Sequence, residues 1–148
     1  MNIPKNLILE ACIKKQNELI VGFQNRLEAM TADTFEIDQS PSQTDDRAAG
    51  KIELLNAVGN ELDFALREME FLKTLNPEKE STIVEPGALV VTDKLILYIC
   101  VSIEQIEVQG EILYGISTKA PIYAAMRGLK NGDNFRFNET EYQIKAIY

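Results

Sequence analysis

The amino-acid sequence predicts an α+β protein with an N-terminal antiparallel helical hairpin, or coiled coil, and a small C-terminal antiparallel-sheet domain. Apolar residues recur at helical spacing through the first half of the chain. After the polar, proline-containing break at residues 76–80 they alternate as in strands. We therefore expect a coiled-coil hairpin over residues 1–76, a linker over 77–84 and the sheet domain over 85–148.

The first helix is predicted to begin near Pro4, which suits a first turn, and to end at Thr31–Asp33. Alternating steps of four and three residues select an apolar seam in which only Gln16 is polar. The seam consists of Leu9, Ile13, Gln16, Ile20, Phe23, Leu27 and Met30.

The second helix is predicted to begin at Thr44–Asp46 and to end at Leu75, before Asn76-Pro77. Its seam has no polar member, and two such seams on one chain should face each other. It consists of Leu55, Val58, Leu62, Ala65, Met69 and Leu72. Further apolar residues are expected to broaden the two stripes, namely Ile8, Cys12, Leu19, Phe64 and Leu66.

Turn residues divide the second half into three predicted hairpins. Their turns are Thr92–Lys94, Gln109-Gly110 and Asn138–Thr140. A short helix is expected over Pro121–Arg127, with proline at a permitted early position and Gly128 just past its end.

Composition excludes several classes of protein. The 148 residues are 45% hydrophobic and 26% charged, which favours a folded chain too short for a dehydrogenase, a kinase or a TIM barrel. The net charge of -8 argues against autonomous binding to nucleic-acid phosphates. The absence of histidine excludes Ser-His-Asp and Cys-His catalysis and histidine zinc ligation.

The sequence also favours a cytoplasmic protein. The first fifteen residues lack the continuous apolar segment of a signal peptide, and no stretch approaches the roughly 18 to 20 apolar residues of a membrane span. Cys12 and Cys100 are therefore expected to be buried thiols rather than a disulfide.

Acidic residues are concentrated at the predicted turn of the helical hairpin. No Lys or Arg occurs between Arg26 and Arg47, whereas six carboxylates do, namely Glu28, Asp33, Glu36, Asp38, Asp45 and Asp46. The plainer interpretation is a solvated loop with an Asp N-cap. The functional alternative is that the hairpin brings oxygen ligands to Mg²⁺, with Asp45, Asp46 and Asp38 as candidates.

The segment from Ile116 to Asp133 is more specific. Gly128 and Gly132-Asp133 are typical of a helix stop followed by a turn. Tyr123 and Met126 are expected either in the core or in an exposed contact patch.

The order of the elements and several short motifs resemble the Gre family of bacterial transcription elongation factors. The motifs are Ile116-Ser117, Ala120-Pro121-Ile122, Ala125 to Gly128, Gly132-Asp133 and the closing Tyr142 to Tyr148. The resemblance implies an FKBP-like sheet domain that docks on RNA polymerase, and a hairpin that enters the polymerase secondary channel. It implies an accessory factor rather than an enzyme, so that any transcript cleavage would be performed by the polymerase.

The resemblance also implies site residues. Asp45, Asp46 and Asp38 would lie nearest a Mg²⁺ shared with the polymerase active site, with no cofactor belonging to this chain. The partner-binding residues would be Ser117, Pro121, Ile122, Tyr123 and Met126. The family's tip run, of the type Gly-Asp-x-x-Glu-Asn, has no counterpart in Thr44–Lys51, where only an Asp carries over. Cleavage stimulation is therefore left open.

Two other functions remain open from the sequence. One is a non-catalytic interaction module in which the coiled coil pairs with another helix or with itself and the sheet domain binds a peptide. The other is an autonomous prolyl isomerase, although no aromatic-lined proline pocket is indicated. The oligomeric state is not determined by the sequence.

Overall fold

The computed structural model describes the backbone of residues 3–37 and 45–148 and the side chains of residues 3–32 and 50–148. It has the predicted α+β architecture, an N-terminal helical pair followed by a six-stranded sheet and a short third helix. The helices are α1 (Lys5–Ile37), α2 (Asp45–Thr74) and α3 (Pro121–Met126). The strands are β1 (Leu89–Thr92), β2 (Ile96–Cys100), β3 (Ile103–Val108), β4 (Glu111–Ser117), β5 (Asn134–Phe137) and β6 (Thr140–Ile147).

Helix α1 is longer than predicted, whereas the bounds of α2 agree with the prediction. The apolar seam becomes irregular after Met30, but residues 31–37 contain no Gly or Pro that would end the helix. Within the described parts of the chain, no helix is both long and apolar enough to cross a lipid bilayer.

The chain divides into two compact units, which we name the helical unit (residues 16–69) and the sheet unit (residues 1–15 with 70–148). The division cuts both long helices, whereas the predicted ranges kept each helix whole. The start of α1 and the end of α2 belong to the sheet unit because they supply it with fully buried side chains, including Ile8, Cys12 and Leu72.

The predicted seams are confirmed by burial, since every seam residue of α1 and α2 is buried or half-buried. Within the helical unit, Gln16 is 1% exposed, and its Nε2 donates to the Ala65 carbonyl oxygen at 2.9 Å and to Glu68 Oε1 at 3.4 Å. A polar residue that is satisfied at only one pairing of two helices fixes their register. Gln16 therefore sets the alignment of α1 and α2.

The prediction that the flanking apolar residues broaden the stripes is wrong for three of the five. Ile8 and Cys12 are buried, but Leu19, Phe64 and Leu66 are 45%, 49% and 41% exposed. Each helix of a two-helix pair has only one neighbour, which covers a narrow stripe and leaves the flanks of that stripe in solvent.

The three predicted hairpins are all present, with the strand order β3-β4-β2-β1-β6-β5. Positive φ angles at Gln109 and Gly110, and at Asn138 and Glu139, are those of tight two-residue hairpin turns. The sheet is mixed rather than wholly antiparallel, because β2 and β4 pair in parallel, from Leu97 opposite Tyr114 to Cys100 opposite Ser117.

Helix α3 covers one face of the sheet and closes its core. The core on this face consists of Val84, Ala88, Val90, Leu97, Ile99, Tyr123, Met126, Phe135 and Ile144. Tyr98 and Cys100 lie at the alternate positions of β2 and are also buried, so this strand is covered on both faces. Cys12 and Cys100 are the buried thiols that the sequence predicts.

Candidate functional site

The segment that carries the strongest sequence motifs runs from the end of β4 through α3 to the turn before β5. Ser117 Oγ accepts a hydrogen bond from the Lys119 N–H at 3.1 Å, which turns the chain out of β4. Ala120 precedes α3 in an extended conformation, and Pro121 occupies a first-turn position where its missing N–H costs nothing. These residues place α3 against the sheet.

The structure separates the five predicted partner-binding residues into two groups. Tyr123 is 8% exposed and Met126 is fully buried, so both side chains belong to the core, the first of the two alternatives that the sequence left open. Pro121 is exposed, and Ser117 and Ile122 are half-buried. Of the five, these three residues, at the end of β4 and the start of α3, present surface in the isolated chain. Their role in binding a partner stays a prediction.

The glycine motifs have architectural roles. Gly128 has a φ of 78°, which ends α3, and its N–H donates to the Val84 carbonyl oxygen at 3.0 Å. Gly132 has a φ of 92°, and its N–H donates to the Ile144 carbonyl oxygen at 2.8 Å. Asp133 Oδ2 accepts from the Lys130 N–H at 2.8 Å and closes the same turn. These motifs are therefore explained by backbone geometry alone.

The predicted metal-binding acids lie where their side chains are not described. Asp45 and Asp46 form the first two positions of α2, as the sequence predicts, and Asp38 lies outside the described residues. In residues 3–32 and 50–148, no group of three or more carboxylate or thiol side chains is placed to hold a metal ion. A Mg²⁺ site at these acids stays a prediction.

Charge is distributed unequally between the two units. The sequence of the helical unit contains eleven acidic and four basic residues, a net charge of -7, whereas the whole chain carries -8. A field of this sign attracts cationic partners and repels anionic ones. The helical unit is therefore the strongly acidic part of the molecule.

The β1–β2 turn of the sheet unit is joined to the β5–β6 hairpin by a side-chain hydrogen bond. Asp93 Oδ1 accepts from the Gln143 N–H at 2.9 Å, and this bond, with the neighbouring Lys94, holds the pKa of the Asp93 carboxyl below its usual value. The Lys94 ammonium lies 5.4 Å from the centre of the Tyr142 ring, which stacks on Phe135. This end of the sheet is held by a local network and offers no grouping of reactive side chains.

An apolar groove on the helical unit is a feature that the sequence did not predict. Leu19 and Phe23 of α1 line it together with Phe64 and Ala65 of α2, and Asn60, Glu61 and Glu68 also contribute to it. Its volume is about 410 Å³. The signal present in the sequence is the apolar residues beside the seams, which periodicity assigns to the buried interface.

The helical pair and mixed sheet define a two-unit α+β protein. Comparison with known proteins does not narrow this class further. No protein-family profile matches the chain, and no curated protein matches it significantly. A solved structure of the transcription factor Gfh1 is 17% identical, with 93% of this chain and 94% of that chain covered and a TM-score of 0.37. The crystal structure of GreA factor homolog 1 (Gfh1) from Thermus thermophilus is 18% identical, with 92% and 94% covered and a TM-score of 0.35. Likeness at this level assigns neither a family nor a function.

Proposed function

We propose that this protein is an accessory factor of bacterial RNA polymerase with a Gre-like, FKBP-like sheet domain. It binds the polymerase and inserts the turn of its helical pair into the secondary channel. The observation that carries this proposal is the pair of hydrogen bonds from the Gln16 side-chain amide to Ala65 and Glu68. These bonds fix the register of α1 against α2 and make them a specific antiparallel pair. Such a pair is stiffer than a single helix, and it can support the short segment between α1 and α2 together with the acids at the start of α2.

Asp38 and the first two residues of α2, Asp45 and Asp46, supply the chemistry of the proposal. In an antiparallel pair the end of α1 and the start of α2 belong to the same end, which would carry Asp45 and Asp46, and Asp38 is close to them in the sequence. Carboxylate oxygens are the ligands that Mg²⁺ prefers, and Mg²⁺ keeps most of its other ligands from water or substrate phosphates. The factor would therefore act on a metal held mainly by the polymerase, and would not need a cofactor of its own.

The motifs around α3 also support the proposal. They resemble the Gre pattern, and the structure explains them as the residues that fix α3 on the sheet. The exposed remainder of this segment, Ser117, Pro121 and Ile122, is the proposed contact with the outside of the polymerase. Tyr123 and Met126 would act only by supporting that surface from the core.

Binding to purified core polymerase tests the proposal. We expect the full chain to co-purify with it, and we expect deletion of residues 33–46 to abolish the association. Replacing Asp38, Asp45 and Asp46 by Lys is expected to weaken binding at least about tenfold, because like charges near the metal repel. The matched control replaces Glu104, Glu107 and Glu111 of the sheet unit by Lys. Absence of an association at micromolar concentration would contradict the proposal.

Transcript cleavage is tested separately with stalled elongation complexes. If the acids assist catalysis, wild-type protein increases cleavage and Asp45→Ala or Asp46→Ala reduces the increase. If the protein binds polymerase but leaves the cleavage rate unchanged, it occupies the channel without a catalytic role. One observation, the exposed apolar groove on the helical unit, favours a different function, the non-catalytic interaction module.

A further inference from the structure

We propose that the groove on the helical unit, lined by Leu19, Phe23, Phe64 and Ala65, is a docking site for a cationic amphipathic helix of a partner protein. This inference does not depend on RNA polymerase being the partner. It concerns a surface on the flank of the helical pair, and Asp38, Asp45 and Asp46 have no part in it.

The groove is apolar because two large apolar side chains, those of Leu19 and Phe64, are left largely exposed to solvent. Leu19 and Phe64 are 45% and 49% exposed, although the seam residues beside them are buried. Phe23 and Ala65, which belong to the seams, also line the groove; Phe23 is half-buried and Ala65 is buried. Grouped exposed apolar side chains mark interaction sites far more often than single ones do.

The shape of the groove favours a helix as its occupant. Leu19 and Phe23 are four residues apart on α1, and the lining of α2 extends from Asn60 to Glu68, which is roughly 12 Å of helix. A furrow between two packed helices accepts the side-chain ridges of a third. An added β-strand would need unpaired backbone groups, and the backbone of α1 and α2 is bonded within the helices.

Charge selects a cationic partner over a second copy of this chain. Glu61 and Glu68 contribute to the lining, which contains no basic residue. Residues 16–32 and 50–69 of the helical unit contain six acidic and three basic residues, a net charge of -3, so two copies brought face to face would repel each other. A helix with apolar residues on one face and Lys or Arg beside them gains burial in the groove and attraction from the unit around it.

Peptide binding to the full chain tests the inference. The probe is a fluorescein-labelled 18-residue peptide with Leu at helical i, i+3, i+4 and i+7 positions and Lys elsewhere, measured by anisotropy. Two further peptides serve as comparisons, one with Glu in place of Lys and one with the same composition in scrambled order. We expect only the first to bind, and we expect its affinity to fall with salt.

Matched variants locate the binding. Phe64→Ser is expected to weaken binding of the first peptide at least about tenfold, since a single buried aromatic anchor contributes that much affinity or more. Leu66→Ser is the control, because Leu66 is 41% exposed on the same helix but lies outside the groove. Leu19→Ser provides a second groove variant, and circular dichroism checks that each variant is folded.

Several results would overturn the inference. These are failure of every peptide to bind, equal binding of the Lys and Glu peptides, equal binding of the scrambled peptide, or equal weakening by Phe64→Ser and Leu66→Ser. Sedimentation that shows dimers of this chain lost in Phe64→Ser would identify a second copy as the occupant instead. Failure to bind polymerase would reject the proposed function while leaving these measurements unaffected.

Discussion

Gln16 is the residue whose environment most constrains the helical pair. It occupies a seam position that a leucine would fill with greater burial of apolar surface, yet its amide has hydrogen-bond partners on the opposite helix at Ala65 and Glu68. Buried polar residues of this kind trade stability for a unique alignment. Sequence periodicity identified the position, but the two acceptors became known only from the structure.

Gln16→Glu is expected to destabilise the helical unit by about 3 kcal/mol at neutral pH, because it removes the amide donor and places a carboxylate beside two acceptors. The buried carboxyl should have a raised pKa, so the lost stability should return in part on acidification. Urea unfolding followed by circular dichroism at several pH values measures both effects. Gln24→Glu, at an exposed position of α1, is the control and should change little. Equal effects of the two substitutions would contradict the assigned role.

Tyr98 is a second residue with an unusual environment. It is 1% exposed, and its hydroxyl has no hydrogen-bond partner within the described part of the chain. Burial, with smaller contributions from Cys100 and Cys12, raises the pKa of this hydroxyl above its ordinary value. The folded chain therefore holds the Tyr98 proton more tightly than the unfolded chain does.

Tyr98→Phe is expected to raise the free energy of unfolding by about 1 kcal/mol, because it removes a buried polar group without changing the ring. As the pH rises past about 10, the wild type should lose stability, since only the unfolded chain releases the proton readily. The Phe variant should lack this part of the alkaline loss. Denaturant unfolding between neutral and alkaline pH measures it, with Tyr142→Phe at a half-buried position as the comparison. A less stable Tyr98→Phe protein would mean that the hydroxyl is satisfied.

At the level of single elements, Gly115 in the sheet and Gly59 in α2 differ in the space that an added Cβ would find. A Cβ at Gly115 in β4 would lie 2.6 Å from the Val101 carbonyl oxygen and 2.8 Å from Ile103 Cβ. This close approach lets the chain reverse from β2 into β3 beside β4. A Cβ at Gly59 in α2 would instead meet open space, since no neighbouring atom lies within 4 Å of its position. The two glycines therefore have opposite consequences for their elements.

Gly115→Ala is expected to lower the stability of the sheet unit by about 2 kcal/mol, because backbone at Val101 and Ile103 must move. Gly59→Ala is expected to raise helix stability by about 1 kcal/mol, since alanine is the better helix former and meets nothing. Thermal unfolding of both variants beside wild type tests the pair. The same sign of change in both would show that local space is not the deciding factor.

Over the whole molecule, the two units differ in net charge and in the extent of their packing. The sheet unit contains the mixed sheet with α3 and the ends of α1 and α2, and it is nearly neutral. The helical unit carries a net charge of -7 in 54 residues and is held by one narrow seam. Self-repulsion should therefore limit the stability of the helical unit more than that of the sheet unit.

Raising salt from about 0.01 M to about 0.1 M shortens the screening length from roughly 30 Å to about 10 Å. We expect the helical unit to gain thermal stability over this range because repulsion among its acids is screened. Replacing the exposed Glu18 and Glu53 by Gln should reduce the gain, whereas replacing Glu104 and Glu107 of the sheet unit should not. Circular dichroism melts at both salt concentrations measure the effect. A gain unchanged by the first pair of substitutions would contradict it.

Sequence alone was sufficient for the presence of the helices, though not for the end of α1, and for the three hairpins, the thiol state of Cys12 and Cys100, and the exclusion of histidine chemistry. These features depend on residue identity or on neighbours a few positions away, such as the turn at Gln109-Gly110. Tertiary structure decided the parallel pairing of β2 with β4, the core positions of Tyr123 and Met126, and the exposure of Leu19 and Phe64. A side chain is buried or exposed according to what packs on it from distant parts of the chain, and local periodicity does not contain that information.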